Sequence, residues 1–382
     1  MKCKLKDFCT VINGRAYSQK ELLDKGKYRV LRVGNFFSSD RWYFSDLELP
    51  AEKYCNKGDL LFAWACSFGP RIWNGEDRTI FHYHIWKLDI DSDIVDKMYL
   101  FYLLKISVDS MTAGTHGSVM MHITKSDMEN FEFDIPSLDV QKKIAAILSA
   151  LDEKIAINRA INENLERQAQ SYFQELFVDN ADPEWTTGTI SDLGAVVGGS
   201  TPSKAKPEYY TESGIAWITP KDLSINKSKF VSHGENDITE LGLKNSSAAI
   251  MPEGTVLFSS RAPIGYIAIA ACEVTTNQGF KSVVPKPEIG TPFVYFFLKN
   301  TLPVIEGMAS GSTFKEVSGS TMKNVPAVIP DAETLAKFSD FCAPIFAQQR
   351  ILEEQNQSLA MLRDNVLPKL MSGEIDVSDV QL

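Results

Sequence analysis

No run of this 382-residue chain stays apolar for the length of a membrane span, and Met1-Lys2-Cys3-Lys4 leads into no signal-peptide core. These absences set the expectation of a cytoplasmic protein with no membrane contact. Cysteine is sparse. Cys3, Cys9, Cys55, Cys66, Cys272 and Cys342 are scattered without a Cys-x-x-Cys pair, which fits reduced thiols better than a disulfide framework. Positive charge is in deficit: 39 Lys and Arg face 49 Asp and Glu, a net charge of −10. Taken alone, this argues against a nucleic-acid binder, because phosphate contacts need Lys and Arg. It does not exclude one whose acidic faces are covered by protein. Catalytic signatures are missing as well. The one Gly-Lys pair, Gly26-Lys27, has Glu21 where a phosphate-binding loop needs its first glycine. Asp182-Pro183-Glu184-Trp185 lacks the second proline of an Asn-Pro-Pro-Tyr-like motif, which argues against an amino-methyltransferase site. No Ser/His/Asp or Cys/His pattern is assignable.

What the chain does have is helix. Residues 139–177 contain neither proline nor glycine. Leu148, Leu151, Ile155, Asn158, Asn162, Leu165, Ala169, Tyr172 and Leu176 fall at alternating steps of three and four, the seam of a coiled-coil helix. Such a run is ~60 Å long and needs a partner. Phe338, Cys342, Ile345, Gln349, Leu352, Asn356, Leu359, Arg363, Val366 and Leu370 repeat the spacing near the C-terminus. Asp139 is the expected N-cap of the first helix. Pro344 is expected to kink or break the second, and Pro368 to bend its last turn. Asp152-Glu153-Lys154 matches half of a nuclease motif but reads as solvated coiled-coil surface. Asn162 and Asn356 occupy equivalent seam positions, where a buried Asn fixes register or a wet seam is merely tolerated. Asn158 reads as the wet, loosened case.

The chain also repeats itself. Gly14 matches Gly199 at an offset of 199 − 14 = 185, Gly58 matches Gly254 at 254 − 58 = 196, Gly114 matches Gly311 at 311 − 114 = 197, and Pro136 matches Pro330 at 330 − 136 = 194. The order is constant and the drift is confined to the modules. The unit is therefore a globular module, Ile-Pro and a long helix, written twice. Short β-rich runs are expected at 28–33, 60–65, 79–88, 215–218, 255–259 and 266–270, with helices at 99–108 and 292–300. The expected fold is α+β: two β-rich domains at 1–135 and 179–331, long antiparallel helices at 136–178 and 332–371, and a tail at 372–382. An apolar fraction of 44% lets each module bury a core.

Three loops recur in both modules and mix small residues with basic or hydrogen-bonding ones. The candidate nucleic-acid contacts are Gly14, Arg15 and Tyr17, matched by Thr201 and Lys204; Ser67 and Arg71, matched by Ser259, Ser260 and Arg261; and Thr115, His116 and Ser118, matched by Ser312, Thr313 and Lys315. Each residue taken singly reads equally well as a surface turn. His82 and His84 alternate as if on one face of a strand, but no third metal ligand stands nearby.

Gln141-Lys142-Lys143-Ile144-Ala145 through Leu151-Asp152-Glu153-Lys154-Ile155, then Asn158-Arg159, Asn162-Glu163 and Leu165-Glu166, resemble the central helix of the DNA-specificity (S) subunit of type I restriction–modification systems. Leu367-Pro368-Lys369-Leu370-Met371-Ser372-Gly373-Glu374 resembles that family's C-terminal ending. Ile12-Asn13-Gly14-Arg15-Ala16 and Pro252-Glu253-Gly254-Thr255-Val256-Leu257-Phe258 resemble parts of its target-recognition domains. The resemblance covers essentially the whole chain. Two departures stand out. Gly199-Ser200-Thr201-Pro202 lacks the arginine of Gly14-Arg15, and the opening of the second helix lacks the glutamine and lysines found at Gln141-Lys142-Lys143.

The resemblance implies a non-catalytic subunit that binds double-stranded DNA, each domain reading half of an asymmetric gapped site. It implies helices that set the gap and dock two modification (methyltransferase) subunits, with restriction (translocase/endonuclease) subunits joining later. No cofactor is expected in this chain; S-adenosylmethionine is expected on the partner methyltransferase. The helix-seam residues Leu148, Leu151, Ile155, Asn158, Leu165, Tyr172, Ile345, Leu352, Leu359 and Val366 would hold the two helices together. A self-contained enzyme and a coiled-coil scaffold for protein partners remain the competing readings. The missing motifs oppose the first, and the acidic balance favours the second slightly.

Overall fold

A computed structural model of the chain describes residues 1–37, 41–112, 122–311 and 315–381. The chain divides into two units, Met1–Lys154 with Ser358–Leu382, and Ile155–Gln357. Unit one carries an antiparallel four-stranded sheet in the order Cys9–Asn13, Ile85–Ile90, Leu60–Ala65, Ser67–Ile72. Unit two carries a sheet in the order Gly194–Gly198, Lys281–Pro285, Val256–Ser260, Ile264–Ala270, with the short strand Phe230–Val231 added at its edge. Corresponding strands begin at offsets of 194 − 9 = 185, 281 − 85 = 196, 256 − 60 = 196 and 264 − 67 = 197. The duplication is thus one of topology as well as of sequence. A second four-stranded sheet lies in each unit, and each module is closed by a two-stranded pair: Lys2–Lys4 with Glu132–Asp134, and Thr186–Thr189 with Pro326–Ile329.

The run expected as one strand over 79–88 is two, Thr79–Phe81 and Ile85–Ile90, joined by a turn at 82–84. His82 and His84 therefore do not alternate on a strand. The first module's helix runs Lys97–Thr112 and the second's Thr291–Met308. The long helices span Leu138–Gln174 and Ala332–Ser372, the first ending in a π-turn at Glu175–Asp179. Because the first begins at Leu138, its cap position is Ser137, whose carbonyl accepts from Gln141 N at 3.0 Å; Asp139 lies in the first turn. The second helix is unbroken at Pro344 and Pro368. Both prolines are exposed, so the carbonyl each leaves unpaired one turn earlier faces water.

Within each unit the long helices are antiparallel. In unit one, Arg363 Nη1 meets Asp152 Oδ1 at 2.6 Å, and Lys143 Nζ, nearer the start of the first helix, donates at 2.7 Å to Ser378 O in the tail beyond the second, so positions rise along the first helix as they fall along the chain beside it. In unit two, Asn158 Nδ2 donates to Asn356 Oδ1 at 3.0 Å and Asn162 Nδ2 to Gln349 O at 3.2 Å. Leu148, Ile155, Asn158, Ile345 and Leu352 are buried, while Leu151, Leu165, Tyr172, Leu359 and Val366 are half-buried. Asn158 is not the wet position expected of it. It is fully buried, because its Nδ2 finds acceptors on the opposite helix, Asn356 Oδ1 at 3.0 Å and Gln355 Oε1 at 3.4 Å.

The core of unit one gathers Phe62, Trp86, Tyr99 and Tyr102 from the module with Ile144, Leu148, Leu367 and Leu370 from the helices. Unit two does the same with Phe258, Phe293 and Phe296 against Phe173, Phe338 and Phe346. Module and helices thus share one apolar core in each unit. Among the described residues no helix is long and apolar enough to cross a membrane.

Candidate nucleic-acid interface

The site begins with two glycines. A Cβ on Gly14 would lie 2.3 Å from His82 O, and one on Gly199 would lie 2.0 Å from Asn277 O. Each glycine directly follows a strand, Cys9–Asn13 or Gly194–Gly198, where the chain passes against the backbone entering the turn at 82–84 or 277–279. In the first module Arg15 N donates to Phe81 O at 3.1 Å and Tyr83 N to Arg15 O at 3.0 Å; in the second Ser200 N donates to Thr276 O at 2.9 Å. The repeat match between Gly14 and Gly199 therefore reflects close backbone packing. Gly14 serves that packing and remains half-buried.

Around the first turn, Arg15 Nη2 pairs with Glu21 Oε1 at 2.6 Å. That guanidinium and the Ser18 donors hold the Glu21 carboxyl down at about 2. Tyr17 stacks on His82 with ring centroids 6.3 Å apart, and Arg15 lies 5.1 Å from the Tyr17 ring. Burial, with His84 and Arg32 nearby, lowers His82 to about 4, so its imidazole is neutral at pH 7. Trp64 Nε1 donates to Tyr83 O at 2.7 Å and pins the turn. Further out, Arg32 and Arg41 flank the Tyr43 ring at 5.0 and 5.1 Å. Six of the chain's eleven arginines fall between Arg15 and Arg78, which sets this module's charge apart from the acidic whole.

The other candidates separate by burial. Ser67 is exposed at the tip of the Leu60–Ala65/Ser67–Ile72 hairpin. Arg71 Nη1 donates to Phe36 O and stacks against the Phe36 ring, so it fastens a helix to the sheet. Ser259 and Ser260 are fully buried and are corrected to structural roles. Ser259 Oγ donates to Pro263 O at 2.8 Å and accepts from Tyr266 N at 2.7 Å, while Ser260 Oγ donates to Gly279 O at 3.1 Å. A strand interior leaves these hydroxyls no route to an outside ligand. Arg261 meets Glu316 Oε2 at 3.5 Å and lines an open depression with Pro263, Glu306 and Lys315. Thr201 hydroxyl donates to the Gln278 side-chain oxygen; Lys204 and Lys315 are exposed. Thr115, His116, Ser118, Ser312 and Thr313 lie outside the described residues.

Two anchors between module and helices escaped the sequence reading. In unit one, Tyr102 OH donates to Asp152 Oδ2 at 2.7 Å while Arg363 pairs with the other carboxylate oxygen. Asp152 is therefore a partnered, half-buried group, not solvated surface. Burial and the Asp152 bond raise the Tyr102 phenol. In unit two, Glu166 receives Lys229 Nζ at 2.8 Å, Tyr295 OH at 3.1 Å and Lys299 Nζ. Lys229 also donates to Gln349 Oε1 at 2.9 Å, and its ammonium sits 3.4 Å from the Phe346 ring centroid. Glu353 accepts the backbone N–H groups of Lys229 and Phe230 at 2.8 and 3.0 Å. No spacing in the sequence links these residues. The turns at 82–84 and 277–279 had a usable signal: the repeat offset of 196 brings one onto the other to within a residue, since 82 + 196 = 278.

Among the described residues no group of three His, Cys, Asp or Glu is placed to hold a metal. The first module offers basic and neutral hydrogen-bonding groups with aromatic faces, its Arg15 paired with Glu21; the second, of the same topology, offers hydroxyls, amides and an Arg261 paired with Glu316. These features define a duplicated, helix-paired recognition protein. The chain belongs to the type I restriction modification DNA specificity domain family, whose model matches residues 1–167 and 183–360. It is 39% identical over 194 residues to the type I restriction enzyme MjaIX specificity subunit of Methanocaldococcus jannaschii, covering 48% of this chain and 45% of that protein. The match thus spans less than half of that relative's length. It is 24% identical to the HindI specificity subunit of Haemophilus influenzae, over 86% of this chain and 89% of that one. The crystal structure of a type I S subunit from M. genitalium shares the fold, with a TM-score of 0.61, 18% identity and coverage of 97% and 95%.

Proposed function

We propose that this chain is the sequence-specific DNA-binding subunit of a type I restriction–modification complex. Each β-rich module reads one half of an asymmetric, gapped site, and the paired long helices set the gap and dock two methyltransferase subunits. Those subunits bring S-adenosylmethionine, restriction subunits join the assembly, and the whole works in the cytoplasm. The observation that carries this reading is the duplication. The same strand order recurs in both units, while Arg15, Tyr17 and His82 stand where the second module has Ser200, Pro202 and Asn277. Like scaffolds with unlike surfaces suit two different half-sites. Proteins that read two half-sites usually place them about one helical turn of DNA, ~34 Å, or a multiple of it apart.

The reading is tested by co-expressing the chain with the modification subunit encoded beside it and sequencing the host's methylated bases. The expected result is a gapped, asymmetric methylated site that disappears when this chain is deleted. Methylation that is unchanged by the deletion counts against the proposal.

Arg15→Ala and Arg261→Ala should each weaken DNA binding by the assembled complex about ten-fold at moderate salt and flatten its salt dependence, without unfolding the chain. Filter or fluorescence titrations at several salt concentrations measure this. Unchanged affinity in both removes these loops from the interface.

Adding or removing whole turns in both long helices together should change the recognised gap and leave the half-sites as they were. A methylome showing new half-sites with the old gap would sink the role of the helices as a ruler.

A further inference from the structure

We propose that the turn joining Thr79–Phe81 to Ile85–Ile90 is the base-reading tip of the first module, with Tyr83 and His84 as the side chains that contact DNA bases, and that the corresponding turn at Asn277 and Gln278 plays that part in the second. The inference rests on the DNA-binding reading above and adds which element does the reading.

The turn is built to be rigid. Its backbone is clamped from one side by Gly14 and Arg15, with Gly14 N donating to Ile85 O at 3.2 Å, and from the other by the Trp64 indole. A continuous set of rings then leads from the core to the tip. Phe62 and Trp86 are 6.2 Å apart, Trp86 and Trp64 5.5 Å, Trp64 and His84 5.2 Å, and His84 and Tyr83 4.0 Å. Phe62 and Trp86 are fully buried, yet Tyr83 is 39% exposed. The turn is held by its backbone and by Trp64, so the Tyr83 ring is not required to secure it. A rigid, exposed aromatic tip with neutral imidazoles beside it and Arg15 and Arg32 near its base suits nucleic acid. The cations meet phosphates, while ring edges and hydroxyl meet base edges and thymine methyls. Rigidity also limits the ordering entropy lost on binding.

The second module repeats the device with different chemistry. Gly199 packs against Thr276 and Asn277 as Gly14 does against Phe81 and His82. Asn277 Oδ1 accepts from Gly279 N at 2.8 Å, and the Gln278 side-chain oxygen is engaged by Thr201. Each side-chain amide is therefore fixed by its oxygen, and among the described residues neither NH2 group has a partner, which leaves those donors for a ligand. Gln278 is exposed. Amide donors suit the acceptor atoms of purines and thymine in the major groove, whereas a tyrosine and a neutral histidine suit other base edges. The difference accounts for two modules of one fold reading unlike sequences.

The test uses the full chain co-expressed with its modification partner, with Tyr83→Ala, His84→Ala and Gln278→Ala made separately. Methylome sequencing reads the target, and titration of the purified complex against oligonucleotides with single base-pair changes reads discrimination. Tyr83→Ala or His84→Ala should lower discrimination at one or two base pairs of one half-site by about ten-fold or more and leave the other half untouched. Gln278→Ala should do the converse. Unchanged discrimination in all three overturns the inference. So does an equal loss of affinity on every DNA, which marks a structural or phosphate-binding part. A wild-type complex that shows no sequence preference fails the underlying DNA reading instead, and is seen before any variant is made.

Discussion

Glu166→Ala is expected to destabilise the second unit by about 3–5 kcal/mol, the loss that follows when one member of a buried ion cluster is removed and its partners stay behind. Lys229 is 7% exposed and loses its carboxylate, and Lys299 and Tyr295 OH lose theirs with it. Among the described residues, Gln349 Oε1 is then left as the one hydrogen-bond acceptor for the Lys229 ammonium. Urea unfolding followed by circular dichroism measures the loss. A change below about 1 kcal/mol would mean that water reaches Lys229 and that the cluster is no anchor. Lys229 stands beside the strand Phe230–Val231, Tyr295 and Lys299 on the module's helix, and Glu166 and Gln349 on the two long helices. Cutting the cluster therefore loosens the module from its helices, and a complex that still forms should tolerate a wider range of gap lengths.

The same cluster predicts a pH dependence. Burial alone would raise the Glu166 carboxyl, but the Lys229 and Lys299 ammoniums outweigh it and hold it at about 2, below its ordinary 4.5. A depressed carboxyl contributes stability that is complete above pH 4.5 and is lost as pH falls toward 2. The stability difference between wild type and Glu166→Gln should therefore shrink as pH falls from 4.5 toward 2.

Gly199→Ala and Gly14→Ala should each cost about 1–3 kcal/mol, the range for overpacking a site that cannot relax. The added Cβ would meet backbone at 2.0 Å from Asn277 O and 2.4 Å from Thr276 O in one case, and at 2.3 Å from His82 O in the other. Backbone held by strands on either side cannot swing away as a side-chain end can. Neither glycine has a positive φ, so the loss is steric and not conformational. Thermal unfolding of the two variants measures it. A midpoint within error of wild type would show that the turns shift freely, which would also undercut their role as rigid tips. Each variant should in addition blur the reading of its own half-site more than that of the other.

Much of the fold lay open in the chain itself. The three-and-four spacing placed the long helices, because the period of an α-helix is local and 19 seam positions could register it; none of them is exposed. The Leu60–Ala65 and Ile215–Ile218 strands ended where β-rich runs and turn residues placed them. The repeat was visible because duplicated topology preserves order even where residues diverge. Proline misled at Pro344, where a residue that breaks a buried helix is tolerated on a wet face.

The site was less legible. Ser259 and Ser260 resemble loop serines in sequence, but the strand Val256–Ser260 carries them inside. Asp152 looks like any charge on a coiled coil until Tyr102 and Arg363 close on it from positions 50 and 211 residues away. Glu166 and Lys229 are 63 residues apart, and the residues between them carry no pattern that joins them. The sequence by itself determined the duplication, the helices, their seam and the family, because each is written in local periods or in order along the chain. Only the tertiary structure decided which polar groups face outward, which carboxylates anchor the modules, and that His82, Tyr83 and His84 form a turn. Those depend on which distant segments meet, and the free energy of such a meeting resides in the packed and desolvated pair rather than in either segment alone.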